Sequence, residues 1–206
     1  MTNGSITLIK AVFMDRDGTI LKEMAGQNDD ELGYLINEKQ VELIDGSASA
    51  ISLAKKAGFM TIIITNQSAI ARGWLTEEEL DRINLKMQKM LLTSDSRAII
   101  DDSFFCPYHV DGIIEKYKKD SSCRKPDIGM VIQAKEKYNI DLSRSFMIGD
   151  SYSDMKCGDN AGLKKILVLT GYGKMAYRKC LDERLKIDFI AENLLEAVKF
   201  IEKYDL

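Results

Sequence analysis

Apolar positions in this chain gather into short unbroken runs: Ala11 to Met14, Met60 to Thr65, Ile99 to Phe105, Ser145 to Ile148 and Lys165 to Leu169. Runs of this length, rich in β-branched and aromatic residues, predict buried strands. Between them the pattern predicts helices over about Ser47–Lys56, stopped by Gly58, then Thr76–Leu92, Ile128–Tyr138, Ser153–Asn160 and Leu194–Lys203. Thr76 and Glu79 form a capping box at the start of the second. A polar loop through Asp30 follows the first strand, and a loop from Cys106 to Pro126 precedes the third helix. Strands separated by helices need crossover connections, so the expected fold class is α/β, a doubly wound parallel sheet with helices on both faces. No internal repeat or low-complexity segment interrupts it.

In an open sheet of this kind the carboxyl ends of the strands converge on one crevice. The first strand ends in Asp15-Arg16-Asp17-Gly18-Thr19. Residues i and i+2 of an extended chain leave on the same side, so Asp15 and Asp17 should share a site. Two carboxylates so close want a cation, for which magnesium is the hard-oxygen choice, and one acid stays free to attack phosphorus. An Asp-x-Asp pair also occurs in solvated turns, so the other strand ends carry the weight. Thr65-Asn66-Gln67-Ser68 offers hydroxyl and amide donors suited to phosphate oxygens. Arg124-Lys125-Pro126 supplies a guanidinium fork and a point charge, and Gly149-Asp150-Ser151-Tyr152-Ser153-Asp154 adds further acids.

Composition limits what these groups can serve. The 206 residues, 45% hydrophobic and 30% charged with two prolines, suit one domain spanning 1–206. No run approaches a membrane span, and no basic segment with a long apolar core opens the chain, so the expectation is a cytoplasmic protein, monomeric, with neither membrane nor nucleic-acid partners. With a net charge of −3, an anionic substrate must be drawn by a local patch, for which Arg72, Lys116, Lys118, Lys119, Arg124 and Lys125 are candidates. None of Cys106, Cys123, Cys157 and Cys180 has an arginine six positions on, which removes the cysteine-nucleophile phosphate loop. His109 is the single histidine, which removes histidine-rich two-metal hydrolases.

The motifs Asp15-Arg16-Asp17-Gly18-Thr19, Thr65, Lys125 and Gly149-Asp150 resemble those of the haloacid dehalogenase superfamily of aspartate-nucleophile phosphatases. Asn66-Gln67-Ser68-Ala69-Ile70-Ala71-Arg72-Gly73, with Cys106-Pro107-Tyr108-His109 and Cys123-Arg124-Lys125-Pro126, is similar to the D-glycero-D-manno-heptose 1,7-bisphosphate 7-phosphatase family, kin to the histidinol-phosphate phosphatases. The resemblance runs from Lys10 to about Val168 and implies a Rossmann-like haloacid dehalogenase core. The intervals at about 20–44 and 106–124 are too short for a cap domain and serve as specificity loops.

In the mechanism the resemblance implies, Asp15 is the nucleophile and Asp17 the general acid and base. Thr65 and Lys125 cradle the phosphate, and Asn66, Arg72 and Arg124 face the rest of a phosphorylated sugar. Magnesium is held by Asp15, the Asp17 carbonyl and Asp150, with Asp154 as an orienting neighbour of Lys125 or of metal-bound water. Histidinol phosphate is the alternative substrate. A nucleic-acid 3′-phosphatase lacks the basic aromatic stripe it would need, and a receiver domain places its phosphoacceptor on a later strand than its acid pair.

Relatives also carry a zinc loop of the form Cys-x-His and Cys-x-Cys, where this chain reads Cys106, Tyr108, Ser121 and Cys123. Cys106, His109 and Cys123 remain as a three-ligand set without a fourth, so zinc is not expected; the cysteines should be buried or free thiols and the loop held by Tyr108, Ile113 and Tyr117.

Overall fold

The computed structural model describes residues 8–25 and 32–204. In chain order the elements are β1 (Ala11–Met14), a hairpin of β2 (Met24–Ala25) and β3 (Leu32–Gly33), α1 (Ser47–Lys56), β4 (Met60–Asn66), α2 (Ser68–Ala71), α3 (Glu77–Ser94) and β5 (Asp102–Cys106). There follow α4 (Gly129–Tyr138), β6 (Phe146–Gly149), α5 (Tyr152–Ala161), β7 (Lys164–Val168), α6 (Gly173–Asp182), β8 (Phe189–Ala191) and α7 (Leu194–Tyr204). The expected polar loop through Asp30 carries β2 at Met24–Ala25, and its residues 26–30 lie outside the described ones.

Six strands form one parallel sheet in the order β5-β4-β1-β6-β7-β8. β1 lies in the middle because all four of its side chains are apolar and can be buried on both faces. Val12 and Met14 join Ile63 and Ile148 in the core under α1, α3 and α7, while Ala11 and Phe13 join Ile62, Ile64 and Met147 in the core under α4 and α5. α6 covers Leu167 of β7 through Ala176 and Cys180. From β1 the chain winds outward to β4 and β5, then returns to the other side of β1 through β6. The loops after β1, β4 and β6 therefore diverge at β1 and leave a crevice.

Most expected elements fall within a residue or two of the observed ones. The Thr76 capping box is present, with the Glu79 amide donating to Thr76 Oγ1 at 3.1 Å and the Thr76 amide to Glu79 Oε2 at 2.8 Å. Two expectations need correction. The strand read from Ile99 begins only at Asp102, because the Asp101 carboxylate takes the Thr61 amide at 2.8 Å. The region between Leu169 and Leu194, to which the pattern assigned no element, contains α6 and β8; α6 buries only Gly173, Ala176 and Cys180, while its larger apolar residues Met175 and Leu181 are exposed.

Neither insertion carries a core of its own among the described residues. Leu35 and Val41 of the first join the main core, and the second holds one 3-10 turn at Glu115–Tyr117. No helix among the described residues is long and apolar enough to cross a membrane.

Candidate active site

Asp15 directly follows β1, with its amide donating to the Ile148 carbonyl of β6 at 3.0 Å, so its side chain emerges at the crevice. Lys125 reaches it from the loop before α4: Nζ lies 2.8 Å from Asp15 Oδ1 and 2.6 Å from Asp154 Oδ1, and donates to the Ile64 carbonyl at 2.8 Å. Burial works against the Lys125 ammonium, but Asp15 and Asp154 outweigh it and hold its pKa above the ordinary lysine range. Asp154 is wholly buried at the start of α5, where its Oδ2 accepts from the Ser151 amide at 3.0 Å and Ser151 Oγ at 2.6 Å. It is therefore at once the reciprocal cap of α5 and the partner of Lys125.

Asp150, also buried, completes the group. One ligand atom each from Asp15, Asp150 and Asp154 lie within 4.8 Å of one another. Asp150 Oδ2 accepts from the Tyr172 amide at 2.8 Å and Oδ1 from Thr19 Oγ1 at 3.4 Å. Glycines let the backbone close around it: at Gly18 and Gly171, both with positive φ, a Cβ would stand 2.2 and 2.1 Å from Asp150 Oδ2. Burial, followed by Asp15 and Asp154, pushes the Asp150 carboxyl well above the usual carboxylate range. Burial also pushes Asp15 up to about 6, with Asp154 and Asp17 adding to the rise and Lys125 opposing it.

Asp17 is not part of this group, and its carboxylate is engaged by other side chains. Its Oδ1 accepts from Arg16 Nε at 3.0 Å, and its Oδ2 from Arg16 Nη2 at 2.8 Å and Gln67 Nε2 at 2.9 Å. Gln67 Nε2 also donates to Thr65 Oγ1 at 2.9 Å, which leaves the Thr65 hydroxyl hydrogen for another acceptor. Asn66, expected against the substrate, spends its amide on Lys125 instead: Nδ2 donates to the Lys125 carbonyl and Oδ1 accepts the Lys125 amide, both at 3.0 Å. It fixes the loop that delivers the lysine.

Asp15, Asp17, Thr65, Asn66, Lys125 and Asp150 all line one cavity of about 220 Å³, together with Glu23, Tyr34, Gln67 and Tyr172. Arg72 and Arg124 are not among its lining residues. Burial first, then the charge of Arg72, holds Arg124 below the usual arginine range, with Tyr34 opposing; His109 is held down by burial, Arg124 and Arg72. The two arginines are thus within electrostatic reach of each other, and Arg124 of Tyr34, which lines the cavity.

Arg16 and Glu23 received no role from the sequence, and Gln67, read there as a donor suited to phosphate oxygens, donates to Asp17 and Thr65. Glu23 is pushed up to about 8 by burial and by the charges of Asp17 and Asp15. Its only sequence signal is an acid placed shortly after the first motif.

The Cys106 and Cys123 thiols expected to be buried or free are joined in a disulfide, with Cα atoms 5.6 Å apart. Cys106 ends β5 and Cys123 lies just before Lys125, so the bond ties the second insertion at its two ends. The proposed trio with His109 is not assembled: His109 Nδ1 accepts the Asp111 amide at 3.1 Å, and the acidic cluster is the one group of metal-ligating residues among the described ones.

A parallel sheet whose central strand delivers an aspartate to a buried lysine, beside a second aspartate held by arginine, defines an aspartate-based phosphatase. The comparisons agree. A family model described as "HAD-hyrolase-like" matches residues 122–197. The chain is 36% identical over 194 residues to the D-glycero-D-manno-heptose-1,7-bisphosphate 7-phosphatase of Chlorobaculum tepidum, covering 92% of each chain. It is 40% identical over 172 residues to the D-glycero-beta-D-manno-heptose-1,7-bisphosphate 7-phosphatase of Photorhabdus laumondii, covering 83% of this chain and 84% of that one. Among solved structures, the D,D-heptose 1,7-bisphosphate phosphatase of B. bronchiseptica complexed with magnesium and phosphate superposes with a TM-score of 0.79 at 26% identity, over 95% of this chain and 99% of that one. This chain belongs to the haloacid dehalogenase-like hydrolases and, within them, to the family of the heptose 1,7-bisphosphate 7-phosphatases.

Proposed function

We propose that this phosphatase removes the 7-phosphate of a heptose 1,7-bisphosphate by way of an aspartyl phosphate, with magnesium as its cofactor. The observation that carries the chemistry is the ion pair of Lys125 with Asp15 in a cavity that Asp17 also lines.

Magnesium fits the residues present. Asp15, Asp150 and Asp154 offer only hard oxygen donors and face a single buried ammonium, so the cluster is short of positive charge. Both Asp154 oxygens are engaged by Lys125 and Ser151, so the ion falls to Asp15, Asp150 and the Asp17 carbonyl. Bound there, it supplies positive charge to the phosphoryl oxygens.

The chain's own residues do the rest. Lys125 keeps the buried Asp15 ionised, and ionised Asp15 attacks phosphorus in line. Asp17 gives a proton to the departing sugar oxygen and takes one from the water that cleaves the aspartyl phosphate. Thr65 Oγ1, accepting from Gln67, donates to a phosphoryl oxygen. Arg72 and Arg124, the latter within electrostatic reach of Tyr34 on the cavity wall, suit the second phosphate of a bisphosphate, which a guanidinium binds bidentately.

Two measurements test this reading. Asp15→Asn should lower turnover on the order of 10⁴-fold while the circular dichroism spectrum is kept. Phosphate release from the heptose 1,7-bisphosphate should exceed that from the 1-monophosphate and from histidinol phosphate; a preference for histidinol phosphate would move the assignment to the sister family.

A further inference from the structure

Arg16 follows the nucleophile in sequence, yet its side chain serves the other acid. It is 0% exposed, the largest fully buried side chain among the described residues. Its Nε and Nη2 grip the two oxygens of Asp17 at 3.0 and 2.8 Å, and Nη1 donates to Asn84 Oδ1 on α3 at 3.1 Å. An uncompensated buried guanidinium costs several kcal/mol, and here the compensation is one carboxylate and one helix amide. A carboxylate offers about four lone-pair positions. Arg16 takes one on each oxygen and Gln67 takes the second on Oδ2. One position remains, on Oδ1.

We propose that Arg16, anchored by Asn84, is a positioning residue that fixes the plane of the Asp17 carboxylate so that this remaining Oδ1 position exchanges the proton in both half-reactions. The inference rests on the acid–base role given to Asp17 above. In the first half, an Asp15 oxygen bonds to phosphorus, the bond from phosphorus to the sugar oxygen breaks, and the proton passes from Asp17 Oδ1 to that oxygen. In the second, a water oxygen bonds to phosphorus, the bond to Asp15 breaks, and the water's proton returns to Asp17 Oδ1. A fork can impose such an orientation because two parallel N–H bonds fix a plane; the point charge of a lysine cannot. Asn84 then passes the position of α3, a helix outside the cavity, to the reacting proton.

A purely structural Arg16 would bind β1 to α3 and lower every activity alike. A positioning Arg16 should, in the first half-reaction, matter only where the leaving group needs a proton, because the second half-reaction is the same for every ester. Release of the leaving group in a single turnover with enzyme in excess, which reads the first half-reaction alone, is compared for the heptose 1,7-bisphosphate, an alkyl ester, and p-nitrophenyl phosphate, whose phenolate departs unprotonated, using the full chain in magnesium buffer. Arg16→Lys should lose on the order of 10- to 100-fold in the single-turnover rate on the sugar ester with the half-saturating concentration unchanged, and less than about threefold on the phenyl ester. Because a buried substitution can unfold the chain, Asn84→Leu provides a second route: a smaller loss with the same selectivity, restored by Asn84→Asp, which keeps the acceptor oxygen. Equal losses of the single-turnover rate on both esters, a change confined to the half-saturating concentration, or no loss in Asn84→Leu would overturn the proposal. Asp17→Asn separates the two levels. If it is selective for the sugar ester while Arg16→Lys and Asn84→Leu are not, only the positioning role fails. If it shows no selectivity, the acid–base role of Asp17 fails and takes this inference with it.

Discussion

Lys125→Met removes the ammonium that Asp15 and Asp154 share while keeping a side chain of similar length. The Lys125 side chain is 2% exposed and lies 2.8 and 2.6 Å from the two carboxylates. Removing one member of a buried ion pair costs about 3–5 kcal/mol, because its partner is left buried and charged. Protonation caps that cost. In the wild type Asp15 already stands at about 6 against an ordinary 3.8, a difference equivalent to about 3 kcal/mol. A carboxyl raised in this way binds its proton more tightly in the folded chain. Its contribution to stability is therefore full below 3.8 and is lost as pH rises through about 6. Lys125 is the group that opposes the rise, so its removal moves the folded value further up and widens the window. Urea unfolding followed by circular dichroism in EDTA should show the variant about 3–5 kcal/mol less stable than wild type at pH 8, with less than half that deficit at pH 5. Magnesium, by supplying the missing charge, should narrow the gap at pH 8. The same deficit at both pH values, or none at either, would refute the account of Lys125 as the counter-charge of buried carboxylates.

Asp150→Ala should weaken the magnesium dependence of activity far more than Asp154→Ala, because both Asp154 oxygens are already engaged by Lys125 and Ser151; titration of magnesium against both variants decides it, and equal shifts would make Asp154 a ligand. Asp154→Ala should instead lower stability by about 1–2 kcal/mol through the lost cap of α5 alone, and by more through the stranded lysine, read from denaturant midpoints. Arg124→Ala should reduce the preference for bisphosphate over monophosphate, measured as the ratio of kcat/KM values; an unchanged ratio would place the second phosphate elsewhere. Cys106→Ser should cost about 3 kcal/mol relative to the oxidised wild type and nothing relative to the reduced one, since the Cys106–Cys123 bond closes a loop of 17 residues' separation. Limited proteolysis across residues 107–122 should report the same difference.

The sequence was most legible where a residue's type alone names its task. An apolar run ending in Asp15-Arg16-Asp17-Gly18-Thr19 could only be a central strand delivering acids to the sheet's edge, and Thr76 with Glu79 spelled out a helix start that the structure reproduces. It was least legible where chemistry depends on a partner far along the chain. Arg16 meets Asn84 across 68 positions and Lys125 meets the Ile64 carbonyl across 61, so neither partner leaves a local trace. Asn66 was expected against substrate because an amide beside a phosphate-binding threonine suits it, but the same amide fits the Lys125 backbone better. The pairing of Cys106 with Cys123 required knowing that the end of β5 and the turn before Lys125 come within 5.6 Å, a fact of the fold rather than of the cysteine spacing.

These residues divide along a physical line. Asp15, Asp17, Asp150 and Thr65 line the cavity, and in the proposed reaction their identity is fixed by the chemistry. Arg16, Asn66, Gln67 and Asp154 have their polar atoms turned onto those groups or onto the backbone that carries them. Their identity is fixed by hydrogen-bond geometry, for which a carboxylate, an amide or a hydroxyl could each serve in another packing. The line has a consequence for mutagenesis. Changes in the first set should stop steady-state turnover of every phosphate ester, the hydrolytic half-reaction being common to all, whereas changes in the second should be graded and open to rescue by side chains that keep the same donor or acceptor.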